Sequence, residues 1–124
     1  MNALVGAIEA GGTKFVCAVG TSPQDLTRTQ FATGDNPDTL FSAVTNWFVE
    51  QQRLRGMLQA IGIGSFGPVD LDKGSPTYGY ITSTPKAGWS NTNIHGAVKR
   101  VFPHIPVAID TDVNGAALGE YYWG

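Results

Sequence analysis

The sequence predicts an α/β layered domain, with a mixed sheet of about five strands and helices on both faces. Three observations carry that expectation. Two apolar runs near the N-terminus, rich in valine, isoleucine and phenylalanine, flank the turn Gly11-Gly12-Thr13-Lys14. The stretch LQAIGIGSF at residues 58–66 is apolar or small almost throughout, as in a parallel strand covered on both faces. Between and after these segments, apolar residues recur at helical spacing.

In chain order, residues 4–8 and 15–19 read as paired strands. Residues 26–32, entered through Ser22-Pro23, alternate and read as a third strand. Asn36-Pro37-Asp38 then opens a helix, with a capping side chain, a proline in the first turn and an acid near the N-terminus. Leu40, Val44, Trp47, Phe48 and Gln51 share one face of it, and Arg55-Gly56 marks its end. The buried strand at 58–66 leads into a long loop, residues 67–93, with three prolines and a short strand at 78–82. A loop of that length inside a compact domain is usually functional. A second helix is expected from Asn93, turning Ile94, Val98, Val101 and Phe102 inward, then a short strand at 107–109 and a final helix at 113–122. Tyr121-Tyr122-Trp123-Gly124 would close that helix on bulky aromatics, which predicts a chain cut at an element boundary, with more protein to follow.

Composition narrows the function classes. A chain of 124 residues suffices for one domain with a core and is too short for two ordinary ones. With 42% hydrophobic and 15% charged residues it reads as a compact soluble protein. A net charge of −2 and the lack of a basic block make nucleic acid and anionic membrane poor partners. Cys17 is the single cysteine and cannot form an internal disulfide, and the distant His95 and His104 make no zinc pattern. The apolar N-terminus carries Glu9 and Lys14 and lacks the basic start of a secretion signal, and no run reaches the length of a membrane span. A reducing, cytoplasmic setting is expected. Glycine is the outlier, with 16 of 124 residues where about 7% is usual. The glycines fall at strand ends, where a tight turn or an approaching ligand needs them.

Three segments can carry chemistry. Gly11-Gly12 fits a two-residue hairpin, because paired glycines tolerate the positive φ such turns need. The same backbone would offer unpaired N–H groups to an oxyanion, with Thr13 adding a hydroxyl and Lys14 a charge. Both readings stand on these residues alone, and the glycine spacing is not that of a Walker P-loop. The second segment, IDTDVNGAALGE at 109–120, puts Asp110, Asp112 and Asn114 where a strand ends and a helix begins, the place at which open α/β sheets bind ligands. Asp112 can be a helix cap and a proton acceptor together, since a carboxylate beside a helix N-terminus stays ionised. In the third, the loop at 67–93, Gly67-Pro68 ends a strand, Thr84-Pro85-Lys86 supplies polar groups, and Trp89 is assigned to the core on burial tendencies. Asp70 and Asp72 read as solvated. Neutral hydrogen-bonding groups, a carboxylate and an apolar wall together make a sugar site.

In this order and spacing, GAIEAGGTKFVCAV, AIGIGSFGPVDL, TPKAGW and DTDVNGAALGE resemble the N-terminal half of the ROK family of bacterial sugar kinases, most closely its fructokinase branch. The resemblance covers nearly all of the chain. It implies the actin-like ATPase fold, in which two ribonuclease-H-like domains face each other across a cleft, with residues 1–124 as the N-terminal one. It further implies phosphoryl transfer from ATP, with Mg²⁺, to a hexose hydroxyl, fructose first, in a homodimer. By motif position, Asp112 resembles the general base, and Gly11, Gly12, Thr13 and Lys14 the turn facing the ATP phosphates. Gly67, Thr84 and Asn114 match sugar-side positions, and Glu9 the acid of the Mg²⁺ contact. Two positions depart from the pattern: the family's usual first acid is aspartate rather than glutamate, and Thr111 precedes Asp112 where asparagine is usual. The family's sugar-binding Glu-His segment, zinc-binding cysteines and adenosine pocket have no counterpart in these residues, so a structural Zn²⁺ would come only through a C-terminal half.

Other classes fit less well. A non-catalytic sugar-sensing regulator of the same family carries a DNA-binding helix-turn-helix ahead of this fold, whereas Met1 lies a few residues before the first strand. A ribonuclease-H-like nuclease needs a third carboxylate beside Glu9 and Asp112 and a basic substrate surface. A kinase for mannose or glucose is the nearer alternative.

Overall fold

The computed structural model describes residues 3–111. Strands β1 (Val5–Ala10), β2 (Lys14–Ser22) and β3 (Asp25–Ala32) form an antiparallel meander. Helix α1 (Pro37–Arg55) carries the chain to β4 (Ala60–Ser65), which runs parallel to β1. Two short strands, β5 (Tyr80–Ile81) and β6 (Thr92–Asn93), pair as a separate ribbon. Helix α2 (Ile94–Val101) follows, and β7 (Val107–Thr111) joins parallel to β4. The main sheet has the order β3-β2-β1-β4-β7, the mixed five-stranded sheet expected from the sequence.

The helix boundaries follow from their caps. Asn36 accepts the Thr39 N–H at 3.2 Å, with Pro37 in the first turn, and α1 stops where Gly56 adopts φ 107°. Asn93 caps α2 by accepting the Gly96 N–H at 2.8 Å. Arg55 then ties the end of α1 to the β2–β3 hairpin, donating to Asp25 at 2.6 Å and to the Val19 carbonyl at 3.2 Å.

Register decides which face is covered. Ile8, Cys17, Ile63 and Ile109 share one cross-strand row, and Gly6, Val19, Ile61 and Val107 the row beneath it. Both described helices pack on this face: Leu40, Val44 and Phe48 of α1 and Ile94 and Val98 of α2 join these residues in one buried cluster. Full burial of each such side chain stabilises by about 1.5–3 kcal/mol. Phe48 crosses the sheet over Gly6, where a Cβ would come within 2.9 Å of its ring. The helix expected at 113–122 lies outside the described residues. Val101, expected inward, is 43% exposed, because α2 ends there and Phe102, just past the helix, folds under in its place.

The segment from 67 to 93, expected as a long loop with a short strand at 78–82, contains β5 and is tied down by its own hydrogen bonds. The Gly67–Pro68 peptide is cis, Val69 bridges Ile81, the Thr82 N–H donates to the Pro68 carbonyl at 2.9 Å, and the Asn91 N–H donates to the Thr82 carbonyl at 2.7 Å. Ile81 and Trp89 are fully buried, so this loop is a packed part of the domain.

Candidate functional site

The parallel strands β1, β4 and β7 end together, with Ala10 paired to Ser65 and Ser65 to Thr111. Ligands of open α/β sheets bind at such ends. The Phe66 N–H donates to the Ala10 carbonyl at 2.8 Å, so the chain leaves β4 at Gly67 beside the point where it leaves β1 at Gly11.

One pleat down, on the face away from α1 and α2, the row Val16, Glu9, Gly64 and Asp110 crosses the sheet. Glu9 is exposed, and Gly64 between the two carboxylates carries no side chain. Glu9 and Asp110 therefore stand on either side of the buried Gly64, two strand spacings or about 10 Å apart. The next row on this face is Ala18, Ala7, Gly62 and Ala108, a floor of small residues. Asp110 accepts the Thr111 N–H at 2.8 Å.

The turn at 11–14 differs from the expectation. The Gly11 N–H donates to the Lys14 carbonyl at 2.9 Å, leaving Gly12 and Thr13 at the tip. Neither Gly11 nor Gly12 has positive φ: the described glycines in that region are Gly34, Gly56, Gly79 and Gly88. The turn's carbonyls are taken from outside the hairpin, by the residue after β3. The Thr33 hydroxyl donates to the Gly11 carbonyl at 2.7 Å, and the Thr33 N–H donates to the Thr13 carbonyl at 2.9 Å. Such a turn does not need the mirror-image dihedrals of a tight two-residue hairpin. Glycine at 11 answers to crowding, since a Cβ would lie 2.9 Å from the Lys14 carbonyl oxygen. At 12 a Cβ would meet nothing within 4 Å, so the fold itself makes no demand for glycine there. The N–H groups of Gly12 and Thr13 have no hydrogen-bond partner among the described residues, and both residues are exposed, as is Lys14.

Thr33 was no candidate from sequence. It follows the expected third strand as a single threonine, with no periodicity or motif to mark it, yet it is only 1% exposed.

On the loop, the Thr84 hydroxyl accepts the Lys86 N–H at 3.3 Å and the Thr84 carbonyl accepts from the Ser90 hydroxyl at 3.2 Å, closing a turn around Pro85. Trp89 anchors that turn to the rest of the site. Its ring centroid lies 5.5 Å from that of Phe15 at the start of β2, 5.6 Å from Phe41 of α1 and 5.7 Å from Phe66 at the end of β4. Its indole N–H donates to the Gly34 carbonyl at 2.9 Å. The structure thus brings Glu9, Gly11, Gly12, Thr13, Lys14 and Gly67 to one end of the sheet and fixes the Thr84 loop to the same strand ends. Asp112 and Asn114 lie outside the described residues, directly after Thr111.

Away from these strand ends, Cys17 and Asp70 are held by the fold. Burial pushes the Cys17 thiol up to about 12, which leaves it neither nucleophile nor metal ligand at neutral pH. Asp70, expected to be a solvated loop acid, instead accepts from the Ser75 hydroxyl at 2.6 Å, the Thr77 hydroxyl at 2.6 Å and the Asp72 N–H at 2.9 Å. These bonds hold its carboxyl below the usual carboxylate range, the Ser75 hydroxyl most of all. Among the described residues, no group of three or more His, Cys, Asp or Glu is placed to hold a metal ion, and no helix is long and apolar enough to cross a membrane.

The sequence profile of the ROK family matches residues 5–124. A fructokinase of Streptococcus mutans is 46% identical over 121 residues, which cover 97% of this chain and 40% of the relative. A fructokinase of Lactococcus lactis is likewise 46% identical over 121 residues, covering 97% of this chain and 39% of the relative. The crystal structure of a ROK family glucokinase from Streptomyces griseus, in complex with glucose and AMPPNP, is similar at a TM-score of 0.72 and 25% identity, over 98% of this chain and 37% of that one. The chain spans about two fifths of the length of these relatives.

Proposed function

Because the chain belongs to the ROK family, we propose that it forms the phosphate-binding side of an ATP-dependent sugar kinase that converts fructose to fructose 6-phosphate. The observation that carries the reading is Gly12. Its backbone conformation and its surroundings would both accept a side chain, and bareness there serves a group that approaches from outside. A phosphate oxygen is such a group, met by the open N–H groups of Gly12 and Thr13 and by the Lys14 ammonium. Identity of 46% to two fructokinases over nearly the whole chain supports fructose as the acceptor.

Each remaining residue takes a role its chemistry allows. Asp112 accepts the proton of the attacking sugar hydroxyl. Thr84, whose oxygen already receives the Lys86 N–H, keeps its own proton to donate to a sugar oxygen, and Gly67 and Asn114 complete the sugar side. An exposed carboxylate near the end of β1 suits Mg²⁺, which is commonly held by one or two carboxylates together with substrate phosphates. Glu9 is that carboxylate, and the ion when bound supplies charge neutralisation on the phosphates. Catalysis by this chain is then positioning: it lines up donor and acceptor and removes one proton. The setting is the cytoplasm and the assembly a homodimer.

The test is ADP release by the complete protein with ATP, Mg²⁺ and a panel of fructose, mannose and glucose. The highest kcat/KM is expected for fructose. A higher value for glucose would reject the substrate, and no ATP-dependent phosphorylation of any hexose would reject the kinase.

A further inference from the structure

We propose that Thr33 is a positioning residue for the nucleotide phosphates: from a buried site outside the turn, it sets the direction in which the turn presents its amides. The inference rests on the sugar-kinase reading above. In a trans peptide the carbonyl of one residue and the N–H of the next point in opposite directions. The one described cis peptide is Gly67–Pro68, so the peptides of the turn are trans. By holding the Gly11 carbonyl at 2.7 Å, the Thr33 hydroxyl fixes where the Gly12 N–H points. By holding the Thr13 carbonyl at 2.9 Å, the Thr33 N–H fixes the Lys14 N–H in the same way. One residue thus orients the peptide planes on both sides of the tip.

A turn of this composition needs such a clamp. Two adjacent glycines give an oxyanion free access, but they also give the backbone the widest range of conformations available to any residue. A loop left free to rotate its Gly11–Gly12 peptide would lose that freedom on binding, at the expense of affinity. Thr33 removes the freedom beforehand. At 1% exposure its hydroxyl is shielded from exchange with water, and it does not itself reach the ligand. Its own place is secured next door, where the Gly34 carbonyl accepts the indole N–H of the fully buried Trp89 at 2.9 Å.

The experiment uses the complete protein and two variants. Thr33→Val keeps the shape and removes the donor, while Thr33→Ser keeps the donor and removes the methyl group. The readouts are the Kd for AMPPNP by titration calorimetry, the KM values for ATP and fructose, and the melting temperature. Thr33→Val should weaken AMPPNP binding and raise the KM for ATP roughly tenfold, the worth of one net hydrogen bond, and leave the KM for fructose within about twofold. Thr33→Ser should bind nucleotide like the parent. If the valine variant does not fold, Thr33→Cys replaces it with the same expectation, since a thiol is only a weak donor. Nucleotide binding within about twofold of the parent, an equal rise in both KM values, or a serine variant as weak as the valine one would each overturn the proposal. A parent that binds AMPPNP without phosphorylating any hexose would fail the kinase reading alone, and the titration would still decide the role of Thr33. A parent that binds no AMPPNP overturns both.

Discussion

Gly12→Ala separates what the fold requires from what a ligand requires. The backbone at 12 lies outside the left-handed region, and the added methyl group would meet nothing within 4 Å. Stability should therefore be unchanged or rise by up to about 1 kcal/mol, because alanine has fewer unfolded conformations to lose than glycine. Nucleotide binding should respond in the opposite sense. A hydrogen bond from a turn amide to a phosphate oxygen needs a separation near 2.9 Å, and a methyl group on the same residue crowds that approach. The loss of one charge-assisted hydrogen bond is about 1.5–3 kcal/mol, or roughly tenfold to 150-fold in the KM for ATP. Urea unfolding followed by circular dichroism measures the first effect, and initial rates over a range of ATP at saturating fructose measure the second. A variant as stable as the parent with an unchanged KM for ATP would refute the phosphate role of the turn. A marked loss of stability would show that glycine at 12 serves the fold after all.

Two further perturbations test the anchoring of the loop and the surface carboxylates. Trp89→Phe removes the indole N–H bonded to Gly34 and three ring atoms from a fully buried position, and should cost about 2–3 kcal/mol in urea unfolding; a loss below about 1 kcal/mol would mean that Trp89 does not anchor the loop. Stability should also fall on acidification. The carboxyl of Asp25 is held low by the Thr21 hydroxyl and then by Arg55, and that of Asp70 by the Ser75 and Thr77 hydroxyls and the Asp72 N–H. Folded pKa values below the unfolded ones mean that the folded chain binds fewer protons, so this contribution is present above the unfolded aspartate value of about 3.9 and is lost as pH falls through the folded values. Melting temperature should hold near neutrality and drop below about pH 4, with a shallower drop in Asp70→Asn; an identical acid slope in that variant would contradict the assignment.

The parts of the fold legible in the sequence are those written locally. Asn36-Pro37 marks the start of α1 because a cap and a proline act on the backbone beside them. The near-continuous apolar stretch around Ala60–Ser65 reads as a buried strand because register cannot expose any of it. What was not legible is held by partners distant in sequence. Ile81 and Val69 meet across the loop, a pairing that neither residue's neighbours in sequence announce. Asp70 looks solvated until Ser75 and Thr77 fold back on it. At the site, the glycines, Thr13 and Lys14 announce themselves by type and spacing and Glu9 only through the family resemblance, whereas the turn's conformation does not. It is imposed by Thr33, 22 residues from the carbonyl its hydroxyl holds, and a lone threonine after a strand carries no pattern to read. Gly11-Gly12 accordingly reads as a positive-φ hairpin, although neither glycine has positive φ and crowding requires glycine only at 11.

Asp112→Asn in the complete protein bears most directly on the central claim, that this chain supplies the base and the phosphate turn of a sugar kinase. Asparagine keeps the size and shape of the side chain and cannot accept the sugar's proton. The kcat with fructose should fall by about two to four decades, the usual worth of a positioned general base. Binding of fructose and of AMPPNP should stay close to that of the parent. Turnover within tenfold of the parent would show that Asp112 is not the base.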